Sequence, residues 1–357
     1  MFRGLTMAAM VIVNNPGDWG SVYAPLRHAE WHGWTPTDLI FPFFLFIVGV
    51  SITLGRTGQG SWAGVLRRGG AIWGLGLFIA AFPFFHVSTV RVPGVLARIA
   101  WCYVAAAILA HLSARGRVDG RSRRAAAIVA VLLAGYWILL TWAPVPGGVA
   151  GDLSPAGNLG AWLDRRLLIG HLWKPDWDPE GVLSTMPAIG TTILGVIAGW
   201  WLRDADSPRR LVRALLVWGL AGIVAGLVWS AWFPINKSLW TSSYVLFTGG
   251  LASAALATCY WWCDVAPTPL MRRLTEPLVA LGRNAILLFV VSGLVAKTLI
   301  YLKWPDSGMS LARWIYVSAF VPLAAPKNAS LLYAVANLAL LYALLALLHR
   351  RKFYLTV

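Results

Sequence analysis

The sequence predicts an all-α fold, a polytopic integral membrane helix bundle of about ten transmembrane helices plus one interfacial or re-entrant helix. Three observations lead there. Of 357 residues, 58% are hydrophobic and only 12% are charged, whereas an ordinary soluble domain is about a quarter charged. Apolar runs close to the roughly 20 residues that a bilayer requires recur along the whole chain. Twenty-one tryptophans and ten tyrosines suit many water–lipid boundaries, where amphipathic rings settle.

In chain order, the expected spans are 4–15, 35–55, 69–85, 94–112, 125–143, 182–202, 211–231, 240–261, 277–301 and 329–348. The first is short, since about 12 residues at 1.5 Å each cover about 18 Å of a roughly 30 Å core. Either residues precede Met1, or this helix is shallow or broken. It does not read as a cleavable leader, because the run leads straight into Asn14-Asn15-Pro16-Gly17 without a small-residue cleavage site. Residues 309–324 form a shorter run that contains Arg313, and they read as the interfacial or re-entrant helix. A single transmembrane domain is expected over 1–357, with an extracytoplasmic loop at about 143–181.

The net charge of +16 fits basic cytoplasmic loops better than a nucleic-acid partner, for which no motif is present. With the N-terminus inside, the cytoplasmic flanks collect most of the 30 basic residues, among them Arg3, Arg56, Arg115, Arg117, Arg210, Arg283 and Lys352. Most acids, including Asp18, Glu30, Asp178, Glu180 and Asp306, then lie outside, and an even helix count places both termini in the cytoplasm. Cys102, Cys259 and Cys263 follow neither a disulfide framework nor a zinc pattern and read as small helix residues.

Polar residues cluster where apolar spans begin. The stretch LRHAEWHGWTPTDLIFPFFLF starts at Leu26 and places two histidines, a glutamate and two tryptophans ahead of a membrane helix. Within it, Thr35-Pro36-Thr37-Asp38 is a helix-start signal, with Thr at the N-cap, Pro at N1 and an acid at N3. Asp38 therefore has a plain structural job as a cap, beside a second reading in which it orients a neighbouring histidine. His28 reads either as an interfacial loop residue or as a group that takes and returns a proton near neutral pH. His28, Glu30 and His32 do not have the H-E-x-x-H spacing, and no third ligand is evident, so no metal is expected. Further polar groups sit in VRVPGVLARIAW (Arg91, Arg98), FPINKSLWTSSY (Asn236, Lys237) and LGRNAILLF (Arg283, Asn284). Snorkelling and capping account for each singly. Together they describe basic and amide groups around a cavity, suited to a phosphorylated ligand held without a glycine cradle.

These same segments, together with FRGL and VNNPG near the start, resemble the heparan-alpha-glucosaminide N-acetyltransferase family of transmembrane acyltransferases, which has a lysosomal animal member and many bacterial relatives. The resemblance runs from Phe2 through the ninth span, and no motif covers 143–181 or 303–328. No stretch here matches the additional N-terminal luminal domain of the animal member. The resemblance implies a bacterial inner-membrane enzyme that takes acetyl-CoA from the cytoplasmic side and acetylates the amine or hydroxyl of an amino sugar or glycan acceptor at the other face. It implies His28 as the catalytic base and Asn14, or its neighbour Asn15, beside it; Asp38 joins the catalytic group through its reading as the acid that orients the histidine. Substrate and CoA contacts would fall on Trp31, Arg98, Asn236, Lys237, Trp240, Arg283 and Asn284. Membrane lipids and a homodimer complete the expected partners. The rival reading is an amino-sugar transporter of the inner membrane, although the paired, broken helices in symmetric halves that many transporters carry are not evident.

Overall fold

A computed structural model describes residues 1–55, 61–113, 118–305 and 307–351. Arg56, Arg115, Arg117, Asp306 and Lys352, which the orientation reading used, lie outside the described residues. The described chain is helical: α1 (Phe2–Asn14), α2 (Ile40–Leu54), α3 (Trp62–Ala81), α4 (Val95–Leu112), α5 (Val118–Trp142), α6 (Leu159–Leu167), α7 (Thr185–Arg203), α8 (Pro208–Trp229), α9 (Ser242–Tyr260), α10 (Pro269–Arg283), α11 (Ala285–Tyr301), α12 (Leu311–Ile315) and α13 (Pro326–Arg350). Seven helices among the described residues are long and apolar enough to cross a membrane, and an eighth follows if α10 and α11 count as one span. That is fewer than ten. The first expected span is a 13-residue helix, and α3 begins at Trp62, so that Arg67 and Arg68 lie within it.

The long helices fall into two groups. α2, α4, α7 and α9 bury more than half of their apolar windows, whereas α5, α8 and α13 bury less than a third. The buried group forms the main core around Leu45, Cys102, Ile193, Val196 and Tyr244. Small residues permit its close contacts, as membrane helices require when lipid tails are as apolar as any side chain. A methyl group at Gly195 of α7 would come 1.9 Å from the Phe46 carbonyl oxygen of α2. One at Gly226 of α8 would come 2.5 Å from the Phe247 nitrogen of α9.

The continuous span expected at 277–301 is corrected. The chain bends by 76° between α10 and α11. Asn284 at the bend has left helical geometry, with φ −111° and ψ 35°. Pro277 withholds an N–H inside α10, and its exposed Arg272, Arg273 and Glu276 make α10 amphipathic rather than lipid-soluble. Residues 309–324 form a short compound helix, α12 followed by a π turn and a 3₁₀ turn that ends at Leu323. Arg313 on it lies 3.7 Å from Asp18 and over the Tyr316 ring.

Candidate active site

Two 3₁₀ turns, Ala24–Leu26 and Pro36–Leu39, shape the segment between α1 and α2. The second carries the capping box that the TPTD stretch predicts, with Thr35 and Asp38 bonded reciprocally. Asp38 does more than cap. Its Oδ2 accepts the Thr35 and Ala29 backbone N–H groups, each at 3.0 Å. Its Oδ1 lies 2.6 Å from His28 Nδ1. The Asp38 side chain is 1% exposed and that of His28 is 49% exposed, so a buried carboxylate aims a histidine whose other edge meets solvent. A carboxylate only accepts, so Nδ1 carries the hydrogen, and Nε2 keeps its lone pair for an incoming proton. Asp38 thus caps the turn through Oδ2 and contacts His28 through Oδ1.

Lys237 reaches this pair from the loop between α8 and α9. Its Nζ lies 3.6 Å from Asp38 Oδ1, 3.1 Å from His28 Nδ1 and 3.4 Å from Nε2. With the Nδ1 proton given to Asp38, the nitrogen that Lys237 can donate to is Nε2. Burial pushes the Lys237 ammonium below its ordinary value, and the nearby Asp38 charge opposes that shift.

The loop is built rigidly. Asn236 Oδ1 accepts from the Leu239 N–H at 2.8 Å, and the Asn236 N–H donates to Thr241 Oγ1 at 3.0 Å. Asn236 Nδ2 lies 3.3 Å from His32 Nδ1, and the Gly33 N–H donates to the Ile235 carbonyl at 2.7 Å, so the loop is tied to the histidine segment. Partial burial holds the His32 imidazole below its ordinary range. Trp240 adopts φ +53°, unusual for a bulky residue, and its buried ring donates Nε1–H to Thr191 Oγ1 at 3.1 Å. Tyr244 at the start of α9 donates to the Asp38 backbone carbonyl at 2.5 Å.

Arg98 is fully buried in the first turn of α4, beneath this loop. Its Nη2 donates to the Gly181 carbonyl at 3.1 Å and to Ser184 Oγ, and its guanidinium stacks over the Trp240 ring at 5.1 Å. Nε and Nη1 have no hydrogen-bond partner among the described residues. Arg98 thus supports the Lys237 loop from below. Trp31 donates Nε1–H to the Leu153 carbonyl at 2.9 Å and meets Trp177 edge-to-face, which fastens the histidine segment to the 143–181 loop.

The remaining expected site residues make no hydrogen bond to this cluster among the described residues. Asn14 is exposed at the C-terminal end of α1, and its side chain holds no hydrogen bond among the described residues. Asn15 donates Nδ2–H back to the Val11 carbonyl at 2.8 Å. Arg283 is exposed at the end of α10, and beside it Asn284 is 1% exposed with neither side-chain polar atom partnered among the described residues.

Sequence reasoning missed the contribution of the 143–181 loop. Arg91 clamps Asp178 bidentately at 2.8 and 2.6 Å and also bonds Glu180, which holds the loop over the site. Partners 87 residues apart leave no spacing signal; the acid-rich run 152–180 was the sole hint. In the same loop, burial pushes the Asp164 carboxyl up to about 6, against the opposing effect of the Val182 N–H at 2.8 Å.

Residues 1–149 match the family model described as heparan-alpha-glucosaminide N-acetyltransferase, catalytic. The chain is 30% identical over 353 residues to the heparan-alpha-glucosaminide N-acetyltransferase of Homo sapiens, covering 81% of this chain and 51% of the relative. The Mus musculus protein of the same name is 30% identical over 347 residues, covering 81% of this chain and 52% of the relative. The chain thus spans about half the length of the curated relatives it matches. His28, Asp38 and Arg98 fall inside the matched 1–149, and Lys237 reaches His28 and Asp38 from beyond it.

Proposed function

We propose, for a chain that belongs to the heparan-alpha-glucosaminide N-acetyltransferase family, that it transfers an acetyl group from cytoplasmic acetyl-CoA to an amino sugar or related acceptor on the His28 side of the membrane. The contact between His28 Nδ1 and the buried Asp38 is the observation that carries this reading. An amine attacks a thioester carbonyl only as the neutral base, so a proton must leave it during attack. His28 Nε2 accepts that proton, and Asp38 supplies negative charge opposite the imidazolium that forms. The new C–N bond replaces the C–S bond, and the departing thiolate takes a proton to leave as free CoA.

Lys237, held 3.4 Å from Nε2, is placed to relay that proton or to meet developing negative charge. Asn14, with an unengaged amide, is the candidate oxyanion contact. Arg283 and Asn284 are the candidate contacts for CoA, Arg283 through its charge and Asn284 through two unfilled hydrogen-bonding atoms. Arg98 acts through Trp240 by positioning the Lys237 loop.

The broken α10–α11 pair favours one other reading, a transporter for amino sugars. Two measurements separate them. Purified protein with labelled acetyl-CoA and glucosamine is expected to yield acetylated sugar and free CoA. No CoA release across a broad panel of amines sinks the enzyme reading, and counterflow of unmodified sugar in proteoliposomes without CoA establishes the rival.

A further inference from the structure

A large cavity lies away from His28, which is not among its lining residues. It measures about 1420 Å³, above the roughly 300–1,000 Å³ of ordinary small-molecule sites, and lies between α5, α7, α8 and α9. α7 and α9 form its floor and α5 and α8 its walls. On α8 half of the residues facing the cavity are small, Ala214, Ala221, Gly222 and Ala225, which cuts a channel along one helix face. Trp218 lines it while remaining 62% exposed, so the channel opens sideways, toward the hydrocarbon. From Arg210 to Trp229 it runs roughly 28 Å at 1.5 Å per residue, close to the depth of the hydrocarbon layer.

Its two ends differ. Trp229 meets Trp137 of α5 edge-to-face at one end. The other end, by the loop 204–207, holds Arg121, Arg123 and Arg210 with Asp204 and Asp206. Arg121 is spent on Asp204 and on the Trp200 ring, whereas Arg123 and Arg210 are exposed and pair with no carboxylate among the described residues.

From this arrangement we infer a site for an anionic glycerophospholipid, with its phosphate between Arg123 and Arg210 and its acyl chains along the channel. CoA shares the anionic head, but its pantetheine arm carries amides that an apolar channel leaves unbonded. The Ser253 hydroxyl in the channel is already committed to the Leu215 carbonyl. A second copy docked by a two-fold axis along the membrane normal would set Arg123 and Arg210 against their own equivalents at equal depth. The inference is independent of the acetyl-transfer reading.

The test is retention of phosphatidylglycerol and phosphatidylcholine by the delipidated full chain in detergent, read by native mass spectrometry with size-exclusion as the folding control. Phosphatidylglycerol is expected to be retained preferentially. Arg123→Gln and Arg210→Gln are each expected to weaken retention about 5-fold and together about 30-fold, from the typical contribution of a basic side chain to an anionic lipid. Ala221→Phe with Ala225→Phe, which fills the channel, is expected to remove retention with both arginines intact. Equal retention of the two lipids, arginine variants that bind as the parent does, or displacement of the lipid by acetyl-CoA overturns the proposal. So does a dimer that the filled channel converts to monomer without loss of lipid.

Discussion

The His28 mouth and the Asn284 bend both hold polar groups at a helix boundary, yet they are finished differently. At the mouth the carboxylate and the histidine are engaged with each other. Asp38 accepts two backbone N–H groups and His28, and Lys237 closes the triangle. At the bend a buried amide has neither of its polar atoms partnered among the described residues. An unsatisfied buried polar group costs about 1–3 kcal/mol, so a fold keeps one where something other than stability requires it. The mouth holds its carboxylate and histidine in a fixed pair, and the bend has hydrogen-bonding capacity in reserve.

The largest test of that contrast is His28→Ala. It should lower acetyl transfer by about 10²–10⁴-fold while acetyl-CoA binding stays close to that of the parent, since a positioned general base contributes about that much. Turnover at the parental rate removes His28 from the mechanism. Asp38→Asn comes next, at about 10²-fold. The amide oxygen can still cap Thr35 and Ala29, but Nδ1–H loses its carboxylate, so the loss should appear in kcat rather than in acetyl-CoA affinity.

The bend should respond in the opposite sense. Asn284→Leu is expected to stabilise the ligand-free protein by about 1–3 kcal/mol, because it removes an unpaired buried amide, and to weaken acetyl-CoA binding. Calorimetry and CoA titration read the two effects separately. A destabilised variant with unchanged binding would make the amide a structural element and erase the contrast. The smallest effect is on the loop that covers the mouth. Asp164 has its folded value raised to about 6, above the roughly 3.9 of an unfolded chain. Its contribution is therefore fully present below about pH 4 and is lost as pH rises through about 6. Asp164→Asn keeps an acceptor for the Val182 N–H, so it should raise the unfolding midpoint at pH 8, by on the order of 1–2 kcal/mol, and leave it nearly unchanged at pH 4. An equal shift at both pH values would mean that the ionised carboxylate is not the strained species.

The parts of the site that could be read in advance are those written locally. Thr35-Pro36-Thr37-Asp38 announces a cap because a side chain three residues on reaches the N-cap N–H in any protein. His28 was legible as a proton-handling residue, although its choice as catalytic base rested on family resemblance. Asn236 and Lys237 are neighbours in sequence with different fates, one stapling the loop and the other facing His28, and nothing in the pair distinguishes them. Arg98 was expected to contact substrate and lies buried under Trp240, because its partners Gly181 and Ser184 come from a region without a recognisable motif.

By itself, the sequence determined the solvent in which this protein folds, its helical class, most span positions and the cap that begins α2. Those properties follow from local hydrophobicity and from bonds within a few residues, since a bilayer leaves an unpaired backbone only helices or closed barrels. Tertiary structure alone decided that α10 and α11 meet at 76°, that Asp38 serves His28 as well as its own helix, and that Lys237 arrives from 209 residues away. Such contacts depend on how separate helices pack, and packing in a membrane is set by shape and small residues, which the apolar pattern along one span does not encode.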